Sequence, residues 1–130
     1  MQTIKIPAGQ GTPEIILDFS NTTFSFTGES YPEDVNAFYG KILETIRAFV
    51  SNLNNDTVKV IMHLAYFNSA STKVFHNMFQ ILENTVDNKG IVAEVDWIYH
   101  EEDDMSLEFA EGFMEDFETI KFNLISQICD

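Results

Sequence analysis

Segments with the residue period of a strand alternate along this chain with segments that have the period of a helix. A hairpin pattern comes first, and three helix patterns follow, each succeeded by a strand pattern. Because each such helix must bury one apolar stripe, it has to pack on the sheet that its neighbouring strands form. The order therefore predicts an α/β fold, a mixed β-sheet with an N-terminal hairpin and about three packed α-helices. At 130 residues we expect a single domain over 1–130.

The hairpin and the first helix occupy the N-terminal half of the chain. The apolar run 14–19 and the alternating run 22–27 predict the two hairpin strands. Ser30 and Glu33 then have the spacing of a capping box, and Pro32 suits a first helical turn. We expect them to open a long amphipathic helix, whose apolar residues recur at helical spacing: Val35, Phe38, Tyr39, Ile42, Leu43, Ile46, Phe49, Val50 and Leu53.

The second half repeats the alternation of strand and helix. The strand pattern at 58–64 is apolar on both faces, so we expect it to be covered on both sides. The polar bend 68–72 leads into a second amphipathic helix that Gly90 ends. The remaining expected elements are a strand over 91–99, a third helix opened by Asp103 or Asp104, and a strand around 120–124.

The charge balance excludes several classes of partner. Asp and Glu number 21 against 7 Lys and Arg, a net charge of −14, and no base occurs between Lys89 and Lys121. A surface that binds DNA, RNA or an anionic membrane needs Lys and Arg for the phosphates. We therefore expect no nucleic-acid partner and no membrane insertion. The acids of 94–118 would keep the domain soluble and steer it toward basic partner surfaces.

The cellular location is predicted from the absence of a signal peptide pattern, of a membrane span and of a possible intrachain disulfide. The first residues have no apolar run of the kind that a signal peptide carries, and no stretch approaches the ~18 to 20 apolar residues of a membrane span. Cys129 is the single cysteine, so an intrachain disulfide is impossible, and we assign it no role. These features predict a cytoplasmic protein.

Catalytic patterns are weak in this sequence. His100 with the acids of 101–104 would suit a hard metal ion, but adjacent residues cannot all face one ion. A solvated acidic helix start is the favoured explanation of these residues. His63 and His76 have no G-x-S-x-G serine beside them, and phosphate-binding glycine patterns are absent. We expect no enzyme and no cofactor. The alternatives are a small metal-dependent enzyme or hydrolase and a small-ligand binding module that uses the acidic segment.

Three hydroxyl groups lie where the central strand meets the second helix. Ser69, Ser71 and Thr72 follow the strand, at the position where ligands and modifications gather in open α/β sheets. Free backbone N–H groups at a helix start can accept a phosphate, and Lys73 is the nearby base. Helix capping by Asn68, Ser69 or Ser71 explains the same residues.

Two segments resemble the motifs of a known family. Residues 28–34, Gly-Glu-Ser-Tyr-Pro-Glu-Asp, resemble the G-[DE]-S-Y-P-E-[ND] signature of the SiaC family of bacterial regulatory phosphoproteins. Residues 66–71, Tyr-Phe-Asn-Ser-Ala-Ser, resemble that family's Y-[FL]-N-[TS]-[SA]-S segment. Weaker similarities are Gly11-Thr12-Pro13 and Trp97-Ile98-Tyr99 before an acidic run.

The resemblance implies a fold like the STAS domains of anti-sigma-factor antagonists and a partner-switching role. A dedicated protein kinase would phosphorylate the residue after the Asn of the second motif, and a PP2C-type phosphatase would remove the phosphate. The unphosphorylated form would bind and activate an effector, in the best-known branch a diguanylate cyclase. On this reading the protein is a non-enzymatic phospho-switch.

The matching positions of this sequence give each residue an expected role. The acceptor is Ser69, with Ser71 and Thr72 as alternates, and Asn68 shapes the bend. The other expected partner-binding residues lie within the two motifs or, in the case of Lys73, just after the second motif. They touch the partner or support the bend: Tyr31, Pro32, Glu33, Tyr66, Phe67 and Lys73.

Overall fold

Six strands form one sheet, in which their spatial order is their order along the chain. The computed structural model describes residues 2–128. Neighbouring strands are antiparallel in the first two pairs and parallel in the other three. The predicted mixed α/β sheet with an N-terminal hairpin is therefore confirmed. The strands are β1 (Ile4–Ile6), β2 (Glu14–Asp18), β3 (Thr23–Ser30), β4 (Thr57–Phe67), β5 (Val92–His100) and β6 (Lys121–Gln127).

Three helices connect the parallel strands and pack on one face of the sheet. They are α1 (Val35–Val50), α2 (Ser69–Lys89) and α3 (Asp104–Asp116). Aromatic pairs join each helix to that face: Phe24 to Phe49 at 6.0 Å, Phe26 to Phe75 at 6.4 Å and Trp97 to Phe113 at 5.8 Å between ring centroids. The core thus lies between this face and the helices.

The prediction that the central strand is covered on both sides is wrong. Val58, Val60 and Met62 of β4 are buried under the helices, whereas Lys59, Ile61 and His63 on the other face are partly exposed. Lys59 makes an ion pair with Asp96 at 3.4 Å there. Successive right-handed crossovers in one direction place every helix on the same face, so the apolar Ile61 did not indicate a second helical layer.

The predicted capping box is also wrong. Helix α1 begins at Val35, and its N-cap is Asp34, whose carboxylate accepts a hydrogen bond from Ala37 N at 3.0 Å. Ser30 is instead the buried last residue of β3. Residues 31–33 therefore lie before the helix and do not open it, because the strand continues further than its sequence pattern predicted.

The other helix ends agree with the sequence. Gly90 ends α2 in the left-handed conformation at φ 68°, and Asp103 caps α3 by accepting from Ser106 N at 3.0 Å. The short strand β1 was not predicted. Within residues 2–128, no helix has the length and apolar character needed to cross a membrane. Cys129 lies outside the described residues.

Candidate functional site

One residue, Asn68, separates β4 from α2. Its backbone is extended, and its side-chain oxygen accepts a hydrogen bond from Ser71 N at 2.9 Å, so Asn68 is the N-cap of α2. Its own N–H donates to the carbonyl of Ser30 at 3.0 Å, which holds the junction against the end of β3. The segment expected as a polar bend is thus a single cap residue followed directly by helix.

The three hydroxyl residues at this junction have different environments. Ser69 is the first residue of α2; its side chain is exposed and makes no hydrogen bond within residues 2–128. Ser71 is fully buried. Thr72 is half-buried, and its hydroxyl donates to the carbonyl of Asn68 at 3.1 Å. Only Ser69 of the three presents a free hydroxyl to solvent.

A buried chain of hydroxyl groups lies beneath the junction. Ser71 Oγ donates to the carbonyl of Ser30 at 3.0 Å and lies 2.8 Å from Ser30 Oγ, which is 2.6 Å from the hydroxyl of Tyr39. Each hydroxyl carries one proton. Because the one proton of the Ser71 hydroxyl is used in the hydrogen bond to the carbonyl, the Ser30 hydroxyl must donate to Ser71 and accept from Tyr39. The chain therefore runs in one direction from α1 through β3 to α2.

Burial raises the pKa of Tyr39 to about 12, because desolvation disfavours the phenolate. The protonated form is also the one that the hydroxyl chain requires, since Tyr39 is a donor in it. Sequence reasoning missed this role of Ser30 and Tyr39. The available signal was a tyrosine on the apolar stripe of the first helix, because a buried tyrosine hydroxyl usually has a hydrogen-bond partner.

The structure brings Tyr31 and Tyr66 together at the surface. Their ring centroids are 5.9 Å apart, and the side chains are 43% and 53% exposed. Tyr31 N donates to the carbonyl of Gly11 at 2.7 Å. Gly11 has φ 73°, and a Cβ there would lie 3.0 Å from the Tyr31 ring, so this position suits only glycine. Two regions distant in sequence thus hold Tyr31 in place.

The remaining partner-binding candidates divide between core and surface. Phe67 is buried and packs against Phe75, Trp97 and Phe109, so it supports the junction from below. Glu33 is exposed, and Pro32 is half-buried.

Lys73 is exposed one turn after Ser69, and both residues line a cleft of about 440 Å³ between the first turns of α1 and α2. Asn36 and Asn77 line the same cleft. An anionic group on Ser69 would therefore have an ammonium group and two side-chain amides nearby.

The acidic residues 101–104 lie at the start of α3, beside this junction. Met105, 67% exposed, lines a cleft of about 110 Å³ with Tyr66 and Asp103. Asp103 is engaged as a cap, and His100 Nδ1 accepts from Glu102 N at 3.0 Å. Among residues 2–128, no group of three or more His, Cys, Asp or Glu side chains is arranged to hold a metal ion.

Comparisons with known proteins give a consistent result. The family model described as SiaC family regulatory phosphoprotein matches residues 6–127. An uncharacterised protein of Pseudomonas aeruginosa strain UCBPP-PA14 is 28% identical over 116 residues, which are 89% of this chain and 90% of that protein.

Solved structures match over nearly the whole chain. The crystal structure of apo-SiaC from Pseudomonas aeruginosa has a TM-score of 0.83 at 25% identity, covering 96% of this chain and 99% of that one. A chain in the structure of the diguanylate cyclase SiaD in complex with its activator SiaC, from the same organism, has a TM-score of 0.87 at 25% identity. That match covers 95% of this chain and 99% of the other.

Proposed function

Because the chain belongs to the SiaC family of regulatory phosphoproteins, we propose that it is a non-enzymatic switch controlled by phosphorylation of Ser69. In its unphosphorylated form it binds and activates an effector protein in the cytoplasm. A diguanylate cyclase is the effector class that we favour, since the SiaC of Pseudomonas aeruginosa is an activator of the cyclase SiaD. A protein kinase adds the phosphate, and a PP2C-type phosphatase removes it.

The accessibility of Ser69 is the observation that carries this proposal. A kinase must place the acceptor oxygen against the terminal phosphate of ATP, which requires an exposed hydroxyl. Ser69 meets that requirement, whereas Ser71 is fully buried in the hydroxyl chain and Thr72 is engaged with Asn68. Ser69 is therefore preferred to the two alternates.

Phosphorylation at this position leaves the fold intact. The phosphate brings about −1.5 to −2 charges to the positive end of the α2 dipole, where negative charge is favourable. Lys73 lies in the same cleft and adds a cation. Phosphorylation therefore changes the charge of the surface, and a partner that contacts the first turn of α2 responds to that charge.

The partner surface that we propose consists of Tyr31, Tyr66 and Met105. All three are exposed apolar or aromatic side chains, and Tyr66 contacts Tyr31 and shares a cleft with Met105. Exposed acids occur next to these residues in the sequence: Glu29, Glu33, Glu101, Glu102 and Asp104. An effector segment with apolar anchors and flanking Lys or Arg fits this arrangement.

The phosphate on Ser69 weakens the binding of such a partner because the complex removes water from the phosphate. Ser69 follows Tyr66 by three residues, so a contact centred on the aromatic pair covers or borders the phosphate. A dianion enclosed beside apolar groups loses hydration that the contact does not replace, and it thereby weakens the complex.

Phosphate transfer followed by mass spectrometry tests the acceptor. The chain is incubated with ATP and the protein kinase that is encoded beside it in the genome, and phosphorylated peptides are mapped. We expect label on Ser69 and none in Ser69→Ala, with Ser71→Ala labelled as in the wild type. Label confined to another residue, or no label, would reject Ser69 as the acceptor.

Effector binding tests the direction of control. We expect Ser69→Ala to bind the diguanylate cyclase of the same genome like the unphosphorylated wild type. Ser69→Asp and the phosphorylated chain should bind at least about tenfold more weakly, about 1.4 kcal/mol. Equal affinity for all forms would contradict the proposed switch, even where Ser69 is phosphorylated.

A further inference from the structure

The two edge strands of the sheet differ in their protection against pairing with another chain. Natural edges are protected by short length, by proline and by charge. Strand β1 has three residues with Lys5 at its centre, and Pro7 follows it. Strand β6 has seven residues without proline, and its one charged residue is Lys121, at its start. Leu124 and Ile125 are 38% and 40% exposed.

The backbone of β6 has free groups on its outer side. The carbonyl of Gln127 accepts a hydrogen bond from Glu101 N, beside the end of β5, at 2.9 Å. Backbone groups of successive residues point to alternate sides of a strand. Phe122, Leu124 and Ser126 therefore direct their N–H and C=O groups away from β5. In the sheet formed by residues 2–128, β6 is the last strand, so no further strand covers these groups.

We propose that β6 pairs antiparallel with β6 of a second copy of this chain and so joins two sheets into one. Full overlap of the two strands places Leu124 opposite itself and Phe122 opposite Ser126 across a two-fold axis. In this register each outward-facing residue exchanges backbone hydrogen bonds with an outward-facing partner. The exposed Leu124 side chains meet at the centre of the junction.

The charge distribution favours a second copy as the occupant of this edge. Two chains of net charge −14 repel each other unless they meet where the acids are absent. Strand β6 contains no Asp or Glu, and full overlap places Lys121 opposite the neutral Gln127. The paired strands themselves therefore contain no like-charge pair. Because the edge is complementary to itself, a single chain provides both sides of the contact.

Light scattering after size-exclusion chromatography tests the dimer. The full chain is measured in reducing buffer, which keeps Cys129 as a thiol, between about 5 and 200 μM. We expect the mass to rise with concentration toward that of a dimer. Leu124→Lys places two like charges across the axis and should weaken association at least about tenfold. A wild-type chain that stays monomeric at the highest concentration would overturn the proposal.

Ile4→Lys is the matched control. Ile4 is 37% exposed on the opposite edge strand, close to the 38% of Leu124, and the charge change is the same. Association should persist in Ile4→Lys; its loss there, or its persistence in Leu124→Lys, would refute pairing through β6.

Ser126→Pro removes one outward N–H at an edge position that tolerates proline, and it should abolish the dimer with an unchanged circular dichroism spectrum. Retention of the dimer in Ser126→Pro would also refute the pairing.

Discussion

Ser71 and Ser30 are joined by two hydrogen bonds although 41 positions separate them: Ser71 Oγ donates to the Ser30 carbonyl at 3.0 Å and lies 2.8 Å from Ser30 Oγ. The same carbonyl accepts from Asn68 N at 3.0 Å. The end of β3 thus fixes the cap residue and the first turn of α2 together. Ser69 lies between Asn68 and Ser71, so these contacts hold the backbone on both sides of it.

Ser71→Ala should lower the free energy of unfolding by about 1–3 kcal/mol, since it leaves a buried hydroxyl proton without an acceptor. If Ser30 turns to donate to Tyr39 instead, the proton of Tyr39 loses its acceptor, so no rearrangement satisfies both groups. Urea denaturation measures the change. Ser69→Ala, at an exposed position without a hydrogen bond, is the control and should remain within about 0.5 kcal/mol. Equal stability of the two variants would show that the hydroxyl chain is dispensable.

Asn68→Ala removes the acceptor that caps α2 and should destabilise the protein by about 0.5–2 kcal/mol. Asn68→Asp keeps an oxygen acceptor and should cost less than the alanine variant. Asn77→Ala, at an exposed position further along α2, is the matched amide-to-methyl control and should change stability by less than about 0.5 kcal/mol. A loss in Asn68→Ala no larger than in Asn77→Ala would contradict the capping role.

The strands and helices were largely predictable because their apolar periods are local properties of the chain. Gly90 was predictable as a helix end for the same reason, and Asp103 as one of two candidates with Asp104, since each cap acts within one turn of its own helix. Strand β1 escaped prediction because three residues are too short a run to show a period.

The site was predictable only in part, because its key contacts are not local. The spacing of Ser30 and Glu33 is that of a capping box. Pairing with β4 nevertheless extends β3 through Ser30, and the Ser30 hydroxyl forms hydrogen bonds with the hydroxyls of Tyr39 and Ser71. The burial that distinguishes Ser71 from Ser69 likewise depends on packing against β3 and α1. No pattern within residues 66–72 contains that information.

Tyr66→Ala should weaken effector binding at least about tenfold while lowering stability by less than about 1 kcal/mol, because Tyr66 is 53% exposed. Titration calorimetry with the unphosphorylated chain measures the affinity, and urea denaturation measures the stability. Met114→Ala removes an exposed apolar side chain from the later part of α3 and should bind like the wild type. Equal effects of the two substitutions would show that the effector does not contact the Tyr31–Tyr66 pair.

Effector binding should also weaken as salt rises, because exposed carboxylates flank the proposed surface. Raising NaCl from about 0.05 to 0.5 M should reduce the association rate about tenfold, since the Debye length shortens to a few ångströms. Replacing Glu101 and Glu102 by Gln should reduce this salt dependence. Glu44→Gln, at an exposed position on α1, is the control and should leave it unchanged. A salt-independent rate would indicate an uncharged partner surface.

Tyr39 should make the protein sensitive to alkali between pH 10 and 12. Its pKa in the folded chain is about 12, above the ordinary value of 10.0, so the folded state holds the phenolic proton more tightly than the unfolded state. The protonated side chain therefore contributes fully to stability below pH 10, and this contribution is lost as the pH rises through 12. Two pKa units correspond to about 3 kcal/mol.

Tyr39→Phe isolates this contribution, since it removes the titrating group and keeps the ring. Urea denaturation at about pH 9 and pH 11.5 should show the wild type losing about 2 kcal/mol more than Tyr39→Phe over that interval. The other tyrosines and the lysines are common to both proteins and cancel in the comparison. Parallel loss of stability in the two proteins would show that the Tyr39 hydroxyl does not resist ionisation in the folded state.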